Sequence, residues 1–112
     1  MEMLTVNSPW SGEESVTLQV TEYQNGALAI CLMCYEGPYA TITVNLLGQS
    51  ADLPKSFAFV DTNNCPWAPE FIEKYDLGYD TGAVGYSGYC ECPLYEFYLD
   101  RLKQIEADGG IA

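Results

Sequence analysis

Residues 16–47, VTLQVTEYQNGALAICLMCYEGPYATITVNLL, carry the reading on which the fold turns. The first eight alternate at period two, which puts Val16, Leu18 and Val20 on one face of a strand. Gln24-Asn25-Gly26 follows, and both Asn and Gly tolerate the positive φ of a tight hairpin. Residues 27–35 form a near-continuous apolar run, the pattern of a central strand covered on both faces. Glu36-Gly37-Pro38 turns the chain again. Residues 39–47 return to alternation, with Thr41 and Thr43 on one side and Ile42 and Val44 on the other. Successive strands with short turns predict an antiparallel meander.

Upstream, Leu4 to Val6 can begin the sheet, and Asn7-Ser8-Pro9-Trp10-Ser11-Gly12 reads as a turn. Downstream, residues 49–55 read as a loop and 57–60 as a short strand. Asp61-Thr62-Asn63-Asn64-Cys65-Pro66-Trp67 then opens a helix over 66–76, with Asn64 or a close neighbour as its cap and Pro66 in its first turn. Phe71, Ile72 and Tyr75 form its apolar stripe, Trp67 precedes Phe71 by one turn, and Glu70 stands four residues before Lys74. Gly78 is placed to close it. Residues 80–88, rich in Gly and Tyr, read as a long loop or a bulged hairpin. Residues 89–92 and 94–99 read as extended, and 100–107 as a short C-terminal helix. The expected fold is α+β: an antiparallel sheet of about five strands with one main helix packed on it, in a single domain over 1–112.

The composition supports a buried core, with 48% apolar residues, nine Tyr, four Phe and two Trp. No apolar run reaches the roughly 18 residues of a membrane span. The start, Met-Glu-Met-Leu-Thr-Val, has neither the basic region nor the apolar core of a signal peptide, so a cytoplasmic protein is expected. Sixteen acids face Lys55, Lys74, Arg101 and Lys103, for a net charge of −12. Such a chain repels phosphate backbones and anionic lipid, which argues against direct nucleic-acid or membrane binding. A basic protein partner, one that itself handles nucleic acid, is the expectation.

Five cysteines, Cys31, Cys34, Cys65, Cys90 and Cys92, make an odd count that argues against a secreted disulfide scaffold. Cys31-Leu32-Met33-Cys34 has metal or redox spacing, yet residues three apart on a strand point to opposite faces, so a core role is preferred. A zinc site would need four of the five cysteines to converge, since the chain contains no histidine. No cofactor or metal is therefore expected. Cys65, before the predicted helix, is the one cysteine near a helix N-terminus, and packing under Trp67 is the preferred reading. Asp61 to Asn64 could offer oxygen ligands to a cation, but local bonding to backbone N–H groups explains the cluster better. Glu91 with Glu96, or Glu70 with Glu73, could do acid–base chemistry, although nothing in their spacing separates them from solvated surface. A non-enzymatic role is expected.

Several stretches resemble a family of small bacterial proteins of unknown function carried on plasmids, integrative elements and phages. They are residues 22–30, residues 38–46 and, most specifically, residues 59–68, Phe-Val-Asp-Thr-Asn-Asn-Cys-Pro-Trp-Ala. Leu77-Gly78, Thr81-Gly82, Ser87-Gly88-Tyr89-Cys90 and Pro93-Leu94-Tyr95 follow at matching distances, so that the resemblance spans about 16–102. It implies a mobile-element context rather than an activity. The Tyr23-to-Gly26 turn also resembles the opening of anti-restriction DNA mimics.

Acidic and aromatic residues gather in residues 70–96, where Glu70, Glu73, Asp76, Asp80, Glu91 and Glu96 face one base, Lys74. Tyr79, Tyr86 and Tyr89 lie among them, and tyrosine buries large area at interfaces while keeping a polar tip. The expected function is inhibition of a basic nucleic-acid-handling host protein, such as a restriction or CRISPR nuclease. In it these six acids supply steering charge and the three tyrosines contact area. The alternatives are a structural or regulatory module of a conjugation or plasmid-maintenance complex, which could form a homodimer, and a small metal- or ligand-binding domain.

Overall fold

Alternating apolar residues need a covered face, and the meander supplies it. A computed structural model describes residues 4–8, 12–24, 26–46, 53–87 and 90–109. Strands β1 (Leu4–Ser8), β2 (Gly12–Glu22), β3 (Leu28–Cys34) and β4 (Gly37–Thr41) form a four-stranded antiparallel sheet in chain order. Val16 and Leu18 of β2 are buried, as are Ile30 and Leu32 of β3, which faces them in register. Asn7, Ser8 and Gly12, expected in a turn, are strand residues, with Ser8 opposite Gly12; residues 9–11 lie outside the described residues. Asn25 of the expected hairpin turn also lies outside them.

The alternation expected over 39–47 breaks at Ile42. Beyond it β5 (Thr43–Val44) leaves β3 and pairs with β6 (Phe57–Val60), the start of a second antiparallel sheet. That sheet has the order β5-β6-β8-β7, with β7 spanning Gly78–Ser87 and β8 Cys90–Phe97. The class is therefore α+β and antiparallel as expected, with eight strands in two sheets among the described residues. Thr43 does not share the exposed side of Thr41; it is 3% exposed. Its Oγ1 accepts the Ile30 N–H at 3.1 Å and lies 3.3 Å from the Tyr23 hydroxyl. The chain can thus switch sheets without leaving the Ile30 amide unpaired.

Helix α1 spans Ala68–Lys74, shorter than the expected 66–76. Its N-cap is Trp67, without a side-chain cap, and Pro69 rather than Pro66 sits in its first turn. Asn64 instead donates from its backbone N–H and side-chain amide to the Asp61 carboxylate, at 3.2 and 2.9 Å. Phe71 and Ile72 are buried, and Tyr39, Trp67, Phe71 and Tyr75 form a row of tilted and edge-to-face rings with centroids 5.2–6.1 Å apart. The Tyr75 hydroxyl takes the N–H of Thr5 at 2.8 Å and so closes the outer edge of β1. Helix α2 (Leu99–Gly109) lies against β2, with Leu102 and Ile105 buried.

Leu77 N–H bonds to Ile72 O and Asp76 N–H to Glu73 O, the paired bonds of a Schellman closure. The left-handed residue is Asp76, at φ 55°, and not the glycine such closures favour. Gly78 belongs to β7, where a Cβ would lie 2.4 Å from Glu96 O. Gly78 is there because two backbones come close, not because the helix ends.

Candidate binding surface

The acidic residues follow the chain out of α1. Glu70 and Glu73 are exposed on the helix, and Asp76 is exposed just beyond it. An acid in the last turn of a helix, or just past it, faces the negative end of the helix dipole. Asp76 adds a left-handed backbone, which costs a non-glycine residue roughly 1–2 kcal/mol. Arg101 offsets part of this charge by donating from Nη2 and Nε to Tyr75 O, at 2.9 and 3.2 Å. Lys74 lies over the Tyr75 ring, 5.2 Å from its centroid.

Asp80 continues the acidic line on β7. Its Oδ1 accepts the Gly82 N–H at 2.9 Å, inside a bulge where β7 advances from Asp80 to Val84 while β8 advances only from Tyr95 to Pro93. The Thr81 hydroxyl braces this bulge by donating to Leu94 O at 2.8 Å. The second half of the 80–88 expectation, a bulged hairpin, is the arrangement found, with residues 88–89 outside the described residues. The Tyr95 hydroxyl is pushed above its ordinary range, by burial first and then by the charges of Asp80 and Glu73. Acids from α1 and from β7 therefore flank one buried tyrosine.

Directly opposed residues of an antiparallel pair share a face. Asp80 opposes Tyr95 and Tyr86 opposes Glu91, so Asp80, Tyr86 and Glu91 lie on the sheet face on which Tyr95 and Phe97 meet the core under α1. Tyr79 and Glu96 oppose each other on the reverse face, with Leu94 and Cys92, above a smaller cluster of Leu46, Phe59 and Cys92. There the Glu96 carboxylate accepts from the Tyr79 hydroxyl and, at 3.4 Å, from Ser56. That bond to Glu96 is the main cause raising the Tyr79 pKa. Tyr98 packs beside Tyr79 with centroids 6.2 Å apart. Tyr89 lies outside the described residues.

Two exposed aromatics lie outside the residues of the expected binding surface. Tyr35 is fully exposed at the β3–β4 turn, although the apolar run had drawn it into a strand; the adjoining Glu36-Gly37 was the available signal. Tyr98 emerges between β8 and α2, where residues 94–99 had been read as one strand.

The cysteines are dispersed over β3, β8 and the approach to α1. Cys65 is buried, and burial followed by the charge of Asp61 pushes its thiol up to about 11. That is the opposite of the lowered pKa a nucleophilic thiol requires. Among the described residues no three or more Cys, Asp or Glu converge as metal ligands. No helix among them is long and apolar enough to cross a membrane. The arrangement thus offers exposed charge and aromatic area rather than an activated nucleophile.

The sequence model of a protein family described as a domain of unknown function, DUF4313, matches residues 17–110. No curated protein and no solved structure matches the chain.

Proposed function

The chain belongs to the DUF4313 family, and from that premise we propose that it works by binding a basic protein rather than by catalysis. It is a non-enzymatic, cytoplasmic accessory protein of a mobile genetic element. Its partner is a nucleic-acid-handling host protein, which it inhibits in the manner of anti-restriction or anti-CRISPR proteins. The docking surface is Glu70, Glu73, Asp76, Asp80, Tyr86 and Glu91, with Glu96 and Tyr79 forming a separate acidic and aromatic spot on the reverse of the sheet.

One observation carries this reading. Glu73 and Asp76 occupy positions where the fold disfavours negative charge, and Asp76 also holds a backbone conformation that glycine adopts at less cost. Strain kept at an exposed site points to use of that site. A like-charged edge steers a basic partner and speeds encounter.

Capture from lysate of the native host at low salt tests the proposal. Recovery of a nuclease or other nucleic-acid-handling protein, lost when Glu73, Asp76 and Asp80 are neutralised, supports it. Recovery of conjugation or plasmid-maintenance proteins instead, or of the chain paired only with itself, replaces inhibition with a structural role.

A further inference from the structure

We propose that the groove between the end of β2 and α2 binds a small anionic ligand, a carboxylate or phosphate monoester carried on a short apolar body. Among the described residues the β1–β2 ladder reaches Val16, and from Thr17 to Glu22 β2 pairs with β3. Helix α2 packs on β2, and the Glu106 carboxylate accepts the N–H of Val20, which points away from β3, at 2.7 Å. Main-chain direction alternates along a strand, so the N–H of Glu22 points outward too. At this end the strand and the helix part into a groove of about 400 Å³.

Val20, Leu28 and Leu99 give the groove an apolar lining, and Lys55 and Lys103 also line it. Lys55 comes from the turn before β6, and Lys103 stands one helical turn after Leu99. Two of the four bases in a chain of sixteen acids thus meet at one hollow. The other two are committed to Tyr75. No carboxylate of the described residues pairs with Lys55 or Lys103. Glu22 is the one acid on the lining, and its Oε2 lies toward Gly26, which lines the groove too.

This balance selects the ligand. A small oxyanion seated in the groove lies near two lysines, and distant acids are screened over about 10 Å. A polyanion would meet the acidic remainder of the surface and be repelled. Apolar lining with a few convergent donors favours an anion with an apolar body over a bare inorganic one.

Amide chemical-shift titration of the full chain with hexanoate, hexyl phosphate and hexanol tests the site. The anions are expected to give saturable shifts confined to residues 20–26, Lys55 and 99–103, while hexanol gives none. Tighter binding of hexanoate assigns a carboxylate ligand and tighter binding of hexyl phosphate a phosphate ester; equal binding assigns the oxyanion chemistry they share. Lys55→Gln and Lys103→Gln, both at exposed positions, should each weaken binding about tenfold and leave the rest of the spectrum unchanged. Absence of saturable shifts, shifts elsewhere, equal binding of hexanol, or lysine variants that bind like the parent chain would each overturn the proposal.

Discussion

Asp76 is the residue at which stability and the proposed function oppose each other. Glycine fits its φ of 55° without cost and removes a negative charge from the end of α1. Asp76→Gly should therefore raise the unfolding free energy by about 1 kcal/mol in denaturant titration. The same substitution should weaken partner binding; a variant both less stable and fully binding would contradict the assignment. Cys65 gives a second residue-level expectation. Its thiol titrates at about 11 in the folded chain against 9.0 ordinarily, so the unfolded chain loses this proton first. Stability from Cys65 is fully present below pH 9 and is lost as pH rises through 11. Tyr23 and Tyr95, raised mainly by burial, add to the alkaline loss. Unfolding measured across this window should steepen with pH, and Cys65→Ala, less stable near neutrality, should show a shallower fall. Burial of Cys65 was legible from its place beside Trp67. The backbone of Asp76 was not, because sequence reading assigns a left-handed closure to the nearest glycine, and Gly78 lay two residues on.

At the scale of elements, the two junctions that sequence patterning missed are held by single atoms. Thr43→Val removes the acceptor of the buried Ile30 N–H where the chain passes between sheets. It should cost about 1–3 kcal/mol and raise hydrogen exchange at Ile30 more than at Val16. Gly78→Ala forces a Cβ against the Glu96 carbonyl and Phe97 Cα, at 2.4 and 2.9 Å, so β7 must move away from β8. A loss of about 1–3 kcal/mol is expected, whereas a helix-closing glycine would lose less and would leave the β7–β8 amides undisturbed. The strands of 16–44 and 57–60 were readable because period two and turn chemistry are local. β7 was harder, since a bulge with Gly82 at φ 89° interrupts its alternation. The division into two sheets was hidden for a related reason: Thr43 has the polarity of an outward residue, and only a distant amide makes it an inward one. Helix α1 was legible from its Trp67, Phe71 and Tyr75 spacing, but its start was not, because Asp61 and Asn64 bond each other ahead of it.

For the molecule as a whole, charge placement matters more than charge. The principal extent is 37 Å, a length over which duplex DNA carries about 22 phosphates. Sixteen acids approach that number in total, and of the six candidates Asp80 and Glu91 share one face of the β7–β8 pair while Glu96 lies on the other. Composition revealed the acidity, and local order revealed the 70–96 run, but the face each side chain occupies depends on the β7–β8 register across the bulge. The account predicts an association that is fast, steered and salt-sensitive. The most direct measurement is capture from native-host lysate by the parent chain and by a Glu73→Gln, Asp76→Gly, Asp80→Asn variant, at low salt and at about 0.5 M salt. The account predicts that the parent retains a basic nucleic-acid-handling protein at low salt, and that both the variant and the higher salt release it. Equal retention of that protein by the variant, or retention unaffected by salt, would contradict the claim that this acidic surface is where the partner binds.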